Sequence, residues 1–255
     1  MNEVKKAIVE KKGNVGSIFF TAGFPKLDDT QEILLKLQAS GVDFVEVGMP
    51  YSDPMADGPT IQDSSSVALD NGMNLSLLFD QLLGIKDQIH IPLVLMGYFN
   101  QVLKFGVDEF LEKAQACGIQ TLILPDLPMI EYQNIYKEKF AKYGISNVFL
   151  ITPQTSKERI KLIDQMSDSF IYVVASASIT GTTGDPVKQQ ESYFQRIAQM
   201  NLKSPQVIGF GISNSEGFQR ANRFLDGAII GSAYIKSLSA DGVDGTEDFV
   251  ASIMS

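Results

Sequence analysis

The sequence has very little of the residues on which several common kinds of catalytic site depend. Its 255 residues include one cysteine, Cys117, one histidine, His90, and no tryptophan. A single cysteine excludes an internal disulfide and indicates a reducing compartment. A single histidine excludes a zinc site built on two histidines, and most histidine-based catalytic triads would have to use His90.

Basic residues and long apolar segments are also scarce. Lysine and arginine number 21 against 30 acidic residues, so the formal net charge is −9. This acid excess argues against a nucleic acid or an anionic membrane surface as the main partner. No segment approaches about 18 uninterrupted apolar residues, and the N-terminus lacks the apolar core of a signal peptide. We therefore expect a cytoplasmic protein without a membrane span.

What the chain does contain is a regular alternation of short apolar runs and longer helical patterns. The runs are rich in β-branched or aromatic residues on consecutive positions, which is typical of strands buried on both faces. They cover residues 18–21, 44–48, 93–98, 121–124, 148–151, 170–175, 207–210 and 227–230. Helical patterns follow at 62–71, 75–85, 107–117, 131–143, 156–165, 189–200, 213–224 and 232–238. Asp28 and Gln31 also form a possible capping box before a further helix.

Eight strands that alternate with helices predict a closed (β/α)₈ barrel, the TIM barrel, as a single domain over residues 1–255. The pattern adds one helix at the N-terminus and one more, at 75–85, in the second βα unit. An open doubly wound sheet is the alternative. It normally has a glycine-rich turn after its first strand, whereas residues 21–25 read TAGFP.

An acidic residue interrupts the second apolar run, which reads Phe44-Val45-Glu46-Val47-Gly48. In barrels of this class, active-site residues lie at the C-terminal ends of the strands. Burial disfavours a charged carboxylate, so we expect the pKa of Glu46 to be raised to a range where it can transfer protons near neutral pH. The alternative is a structural carboxylate inside the barrel or one that faces a helix. We favour the catalytic interpretation.

The loop that follows this strand contains two more acids, Asp53 and Asp57, and three prolines. Such a loop is stiff for its length and can aim a carboxylate at a site. From spacing alone, either acid could equally be a turn residue.

Glycines follow the seventh and eighth strands, where barrels often bind phosphate. Gly211 and the pair Gly231-Ser232 begin short helices, whose free N–H groups and dipole favour an anion. No lysine or arginine lies at a strand end, which disfavours a Schiff-base mechanism and leaves backbone groups to hold a phosphate. The alternative is that these glycines only form tight turns. The strands also present apolar side chains that suit a flat aromatic substrate or simply fill the barrel: Phe19, Tyr98, Ile123, Ile151, Tyr172 and Phe210.

Four segments resemble a known family. Residues 44–62 read FVEVGMPYSDPMADGPTIQ, residues 124–128 read LPDLP, residues 209–213 read GFGIS and residues 226–233 read DGAIIGSA. Together they are similar to the signature segments of the tryptophan synthase alpha chain family. The similarity extends over essentially the whole chain, in the same order.

The resemblance implies a lyase of tryptophan biosynthesis that cleaves indole-3-glycerol phosphate to indole and glyceraldehyde 3-phosphate, with no cofactor or metal in this chain. It implies that Glu46 transfers protons and that Asp57 binds the indole N–H. The implied phosphate-binding residues are Gly181, Gly211, Gly231 and Ser232. The implied indole- and glycerol-binding residues are Phe19, Tyr98, Ile123, Ile151, Tyr172, Thr180 and Phe210.

The resemblance also implies a partner. In the family, a beta chain that carries pyridoxal phosphate condenses the indole with serine, in an α₂β₂ heterotetramer. By analogy, the loop bearing Asp53 and Pro54 and the region around Asn100 would face that chain.

The loop after the sixth strand departs from the common family pattern Ser-x-x-Gly-Val-Thr-Gly. Residues 175–184 read ASASITGTTG. Without an insertion, the family's threonine and phosphate glycine correspond to Thr180 and Gly181. A shifted register would place them at Thr183 and Gly184.

Three other functions are open to test. The first is another phosphate-binding barrel enzyme, such as a triose-phosphate-type isomerase or an indole-glycerol-phosphate synthase. Such an enzyme would need a catalytic lysine, or a histidine with a glutamate, at strand ends, and this chain has neither arrangement. A non-catalytic subunit that only activates a beta chain conflicts with the presence of both Glu46 and Asp57. An indole lyase that acts without a partner would use the same two carboxylates.

Overall fold

The computed structural model describes residues 1–174, 186–209 and 211–254. Each strand hydrogen-bonds in parallel to the next one along the chain, and the eighth pairs with the first, where Val15 is opposite Gly227. The structure therefore confirms the closed barrel. Its strands are β1 Val15–Thr21, β2 Phe44–Gly48, β3 Leu93–Met96, β4 Thr121–Ile123, β5 Ser146–Ile151, β6 Ile171–Val174, β7 Gln206–Gly209 and β8 Gly227–Ile230.

Helices surround the barrel, and none in the described part of the chain is long and apolar enough to cross a membrane. The helices are α1 Glu3–Lys11, α2 Asp29–Ala39, α3 Pro59–Asp70, α4 Leu75–Ile85, α5 Phe99–Phe105, α6 Val107–Ala116, α7 Met129–Glu131, α8 Lys137–Lys142, α9 Lys157–Met166, α10 Pro186–Ala198, α11 Ser215–Asn222, α12 Ser232–Asp241 and α13 Thr246–Met254. A π-helical turn, Tyr132–Tyr136, joins α7 to α8, and two 3₁₀ turns cover Lys86–Gln88 and Val243–Gly245. The predicted extra helices are α1 and α4.

Two local predictions are wrong. The side chain of Asp28 makes no capping hydrogen bond, and α2 begins at Asp29, whose Oδ2 accepts a hydrogen bond from the Lys26 N–H at 3.1 Å. The apolar run at 93–98 is not all strand. β3 ends at Met96, and a short helix that the sequence pattern did not predict, α5, begins at Phe99 directly after it.

Apolar side chains form two layers on either side of the sheet. The inner layer fills the barrel and includes Phe19, Phe44, Ile123 and Tyr172. The outer layer lies between the strands and the helices, and most of the buried apolar residues belong to it. This division decides which strand residues can reach a site inside the barrel mouth, because alternate side chains point to opposite faces of a strand.

The side chain of Asn2 makes hydrogen bonds at the N-terminal end of the barrel strands. Asn2 accepts the Lys5 N–H at 3.2 Å as the N-cap of α1. The two protons of its Nδ2 group are shared among three acceptors: the Gln120 carbonyl at 3.0 Å, Thr121 Oγ1 at 2.9 Å and Ser146 Oγ at 3.1 Å. One side chain thus caps a helix and binds the start of two strands.

We expect Asn2→Ala to lower the free energy of unfolding by about 2–3 kcal/mol, because it removes a cap worth about 1 kcal/mol together with one or two net hydrogen bonds of about 1 kcal/mol each from the Nδ2 group. Asn74 is a matched control, since it caps α4 through the Leu77 N–H at 3.1 Å and, among the described residues, its side chain otherwise bonds only to the Gly72 carbonyl in its own turn. Asn74→Ala should cost only about 1 kcal/mol. Urea unfolding of both variants measures the difference. Equal losses would show that Asn2 is an ordinary cap.

Candidate active site

A cavity of about 460 Å³ opens at the C-terminal ends of the strands. Residues from β1, β2, β3, β6, β8, the loops after β2, β7 and β8, and the helices α3, α12 and α13 surround it. They are Phe19, Glu46, Asp57, Ile61, Met96, Tyr172, Gly211, Ile212, Ser213, Ile229, Gly231, Ser232, Ala233, Lys236 and Phe249. Apolar side chains dominate one part of this lining, and a helix start with a nearby lysine forms another.

Glu46 is the most unusual group in the cavity. It lies in the middle of β2 with its side chain fully buried, and neither carboxyl oxygen has a hydrogen-bond partner in the described part of the chain. Desolvation disfavours the charged form and raises the pKa of Glu46 from 4.5 to about 8. At neutral pH the group therefore carries a proton that it can give up at small free-energy cost.

Asp57 lies on the loop between β2 and α3 and faces the same cavity. Burial raises its pKa, while a hydrogen bond from the Tyr98 hydroxyl lowers it. That hydroxyl donates to Asp57 Oδ2 at 2.9 Å and accepts the Ala56 N–H, also at 2.9 Å. The same tyrosine thus binds both the carboxylate and the backbone of its loop.

Tyr172 brings a phenol into the barrel from β6. Its side chain is buried, and its pKa is raised well above the ordinary value by desolvation and then by the carboxylates of Glu46 and Asp57. All three groups line the same cavity. The ring occupies space that a side chain on β7 would fill, because a Cβ at Gly209 would overlap it. A glycine at this position is therefore needed to admit the tyrosine.

Two helix starts border the cavity, and they differ in their caps. At α11 the Asn214 side chain accepts a hydrogen bond from the Gly217 N–H at 2.9 Å, so one of the N–H groups at that helix start already has a partner. At α12 the N-cap residue is Gly231, which makes no side-chain capping bond, and Ser232 follows as the first helical residue. The first N–H groups of a helix have no partner within the helix itself, so those at the start of α12 can bind an anion. Gly211, with φ of +79°, makes the turn that faces it.

The structure brings most of the predicted site residues together. Phe19, Glu46, Asp57, Tyr172, Gly211, Gly231 and Ser232 line the cavity, and Tyr98 lines a small adjoining pocket with Phe19 and Asp57. Ile123 is fully buried in the inner layer of the barrel. Thr180, Gly181 and Phe210, together with the alternative pair Thr183 and Gly184, lie outside the described residues.

One predicted binding residue is misplaced. Ile151 belongs to the outer apolar layer, between the sheet and the helices, whereas its neighbour Leu150 packs against the inner layer. The reason is the alternation of side chains along β5, which turns residue 151 away from the barrel mouth. An aromatic substrate in the cavity therefore cannot touch Ile151 directly.

Several lining residues were not predicted. Lys236 is the one with chemical consequences, since it brings a cation to a cavity where no basic residue was expected. A signal for it was present: Lys236 follows Ser232 by four positions, so both lie on one face of α12. The apolar residues Ile61, Met96, Ile229 and Phe249 had no distinguishing sequence signal.

The predicted partner-facing residues lie beside the site and not within it. Asp53 and Pro54 share the loop of Asp57, and Asn100 is in the first turn of α5. The side chains of Asp53 and Asn100 are exposed. In the part of the chain that the structure describes, no three histidine, cysteine or acidic residues form a cluster that could hold a metal ion.

Comparison with known proteins gives consistent matches. The model of the family described as tryptophan synthase alpha chain matches residues 6–253. Proteins named tryptophan synthase alpha chain from Flavobacterium psychrophilum and Flavobacterium johnsoniae are 53% and 52% identical over 253 residues, which is 99% of this chain and 100% of each relative.

Solved structures agree with these sequence matches. The tryptophan synthase subunit alpha of Legionella pneumophila has a TM-score of 0.88 at 28% identity, over 100% of this chain and 97% of that one. The tryptophan synthase complex from Pyrococcus furiosus has a TM-score of 0.84 at 29% identity, over 95% of this chain and 98% of that one.

Proposed function

The chain belongs to the tryptophan synthase alpha chain family, the lyases that cleave indole-3-glycerol phosphate in tryptophan biosynthesis, and we propose that Glu46 and Asp57 are its two catalytic residues. One observation carries this assignment. A fully buried carboxyl group with a pKa of about 8 faces a cavity that also holds a second carboxylate. In the described part of the chain, Glu46 has no hydrogen-bond partner whereas Asp57 accepts a bond from Tyr98, and two acids in such different surroundings are suited to different roles in one reaction.

Glu46 would transfer protons at both ends of the bond that breaks. The protonated carboxyl gives its proton to C3 of the indole, which makes the ring an electron-poor iminium. The electrons of the carbon–carbon bond then move into the ring and restore the aromatic indole. The adjacent glycerol hydroxyl loses its proton to the Glu46 carboxylate as the aldehyde forms, so the residue returns to its starting state.

Asp57 would stabilise the charge that appears between these two proton transfers. As a carboxylate it accepts a hydrogen bond from the indole N–H, where positive charge develops in the iminium. Because Asp57 is half-buried, this interaction is stronger than it would be in bulk water. The bond from Tyr98 favours the ionised form that this role requires.

The phosphate would bind at the opposite part of the cavity. The start of α12 offers the unsatisfied N–H groups of Gly231 and Ser232, and the Ser232 hydroxyl lies beside them. Lys236, one turn further along α12, adds the positive charge that a phosphate of about two negative charges needs. We also propose Thr180 and Gly181 as contributors from the loop after β6.

The test is indole release from indole-3-glycerol phosphate by the purified chain, followed together with glyceraldehyde 3-phosphate. We expect both products in equal amounts. Asp57→Asn should lower kcat by about 10²-fold, since it removes the charge that stabilises the iminium. Asp63→Asn is the matched control, because Asp63 is an exposed acid on the next helix. Normal turnover by Asp57→Asn, or no indole from the wild-type chain, would contradict the assignment.

We further propose that the chain works in the cytoplasm with a beta chain in an α₂β₂ assembly, and that pyridoxal phosphate is held by that partner while this chain uses no cofactor. Asp53, Pro54 and Asn100 are proposed to contact the partner. Exposed apolar side chains on the same loop and on α5, Met55 and Leu103, support an interface there.

Activity measured with and without a beta chain distinguishes this assembly from an indole lyase that acts alone. Strong stimulation of indole formation by the beta chain is the expected result. Stimulation that is lost in Asn100→Ala, with the activity of the isolated chain unchanged, would support the proposed interface. Full activity without any partner would favour the independent lyase.

A further inference from the structure

Tyr98 is held rigidly at the junction of β3 and α5. Its N–H donates to Gln101 Oε1 at 3.1 Å, and Gln101 Nε2 donates to the Pro50 carbonyl at 2.8 Å. Its ring stacks on the ring of Tyr51, with centroids 5.0 Å apart and an interplanar angle of 27°. The phenol is buried to 8% exposure. The position of its hydroxyl is therefore set by the strand end, the helix start and the loop after β2 together.

That hydroxyl makes two hydrogen bonds with defined directions. A phenol has one proton to donate and lone pairs to accept. The Ala56 N–H occupies an acceptor position at 2.9 Å, and the Asp57 carboxylate receives the proton at 2.9 Å. A backbone N–H can only donate, and an ionised carboxylate can only accept, so the two partners fix the orientation of the O–H group. The Tyr98 hydroxyl could accept a hydrogen bond from Asp57 only if Asp57 were protonated.

We propose that Tyr98 is a positioning residue for the reaction: its hydroxyl holds Asp57 as an ionised carboxylate in the place where the indole N–H binds. The proposal rests on the role assigned above to Asp57. Its further content is that Tyr98 acts through its O–H group, in addition to any contact that the ring makes with the substrate.

The surroundings of Asp57 make such a residue necessary. Burial alone raises the pKa of this carboxyl, and the Tyr98 bond opposes that shift. The other titratable groups that line the cavity are Glu46, Tyr172 and Lys236. Glu46 is protonated at neutral pH and so brings no charge to Asp57. Lys236 is proposed to bind the substrate phosphate. Without the hydroxyl, the half-buried Asp57 would keep its proton to a higher pH, and only its ionised fraction could stabilise an iminium.

Tyr98→Phe removes the hydroxyl and keeps the ring, the stack on Tyr51 and the helix start. We expect kcat for indole release to fall about 10-fold, because the variant loses one hydrogen bond to a charged group. KM should change less than about 3-fold, since the ring still lines the site. The acid limb of the pH profile should move to higher pH, because Asp57 loses the hydrogen bond that lowers its pKa.

Tyr51→Phe is the matched control. The Tyr51 hydroxyl accepts from Asn100 Nδ2 at 2.8 Å and makes no bond to Asp57. This variant loses a phenol hydroxyl from the same stacked pair, and the acid limb of its pH profile should lie at the same pH as in the wild type. An equal shift in Tyr51→Phe would mean that the stack, and not the Tyr98 hydroxyl, determines the state of Asp57.

A double-mutant cycle separates positioning from a general structural defect. If Tyr98 acts through Asp57, Tyr98→Phe should have almost no further effect on kcat in the Asp57→Asn background. Additive losses would overturn the proposal, as would an unchanged kcat and pH profile in the single variant.

A second readout does not depend on activity. Titration of the Asp57 carboxyl by NMR, in chains labelled with ¹³C aspartate, should show a higher pKa in Tyr98→Phe than in the wild type. An unchanged pKa overturns the positioning role even if the enzyme is active. A raised pKa in a chain that releases no indole supports the structural link and places the failure in the proposed function.

Discussion

The variant Glu46→Gln is expected to release indole from indole-3-glycerol phosphate about 10³-fold more slowly than the wild-type chain, within the range that a general acid–base residue contributes. Glutamine keeps the volume of the side chain and fits the same buried position in β2, but it cannot give a proton to the indole ring or accept one from the glycerol hydroxyl. Single-turnover measurement of indole release, with saturating enzyme, tests the chemical step directly.

The pH dependence of the same reaction provides the control. Because Glu46 must be protonated to begin the reaction, the wild-type rate should decline as pH rises through about 8. Any residual rate in Glu46→Gln should lack this alkaline limb. If the variant keeps a rate within about 10-fold of the wild type, proton transfer must be carried by another group. Asp57 and Tyr172 would then be the first candidates, since both line the cavity.

The sequence pattern was sufficient to predict the barrel because its strands are buried on both faces. Each strand therefore appears as an uninterrupted apolar run, and the helices between them carry their own period. The short helix α5 was missed for the opposite reason. It begins at Phe99, so soon after β3 that its apolar residues merge with the strand pattern. The capping box predicted at Asp28 is absent, and the neighbouring Asp29 accepts a backbone hydrogen bond instead. A sequence motif alone therefore does not determine which of two adjacent aspartates makes this bond at a helix start.

The two carboxylates could be found from sequence because each has an unusual setting: Glu46 within an apolar strand, Asp57 in a stiff loop after it. The hydrogen bond between Asp57 and Tyr98 could not be predicted from sequence, because it joins two segments 41 positions apart, and the path of each segment depends on the packed barrel. Ile151 is the last apolar residue of β5, but the alternation that starts from Val148, which faces the barrel interior, turns Ile151 toward the helices.

The same replacement that removes activity is expected to stabilise the fold at high pH. In the unfolded chain the carboxyl of Glu46 ionises near its ordinary pKa of 4.5, whereas in the folded chain it keeps its proton up to about 8. Between these values the folded state binds more protons than the unfolded state, so the free energy of unfolding falls as pH rises. Each unit of pKa difference corresponds to about 1.4 kcal/mol, which gives a loss of roughly 3–5 kcal/mol above pH 8.

Glutamine does not titrate, so Glu46→Gln should be free of this loss. We expect the difference in unfolding free energy, variant minus wild type, to grow by roughly 3 kcal/mol or more between pH 5 and pH 8.5. The amide's own unmet hydrogen bonds add a constant that does not vary with pH, so the slope is the informative quantity. Urea unfolding at several pH values measures it, with Asp63→Asn as the exposed-acid control. Parallel stability curves for wild type and variant would mean that Glu46 ionises normally in the folded chain, and the raised pKa on which its catalytic role depends would be wrong.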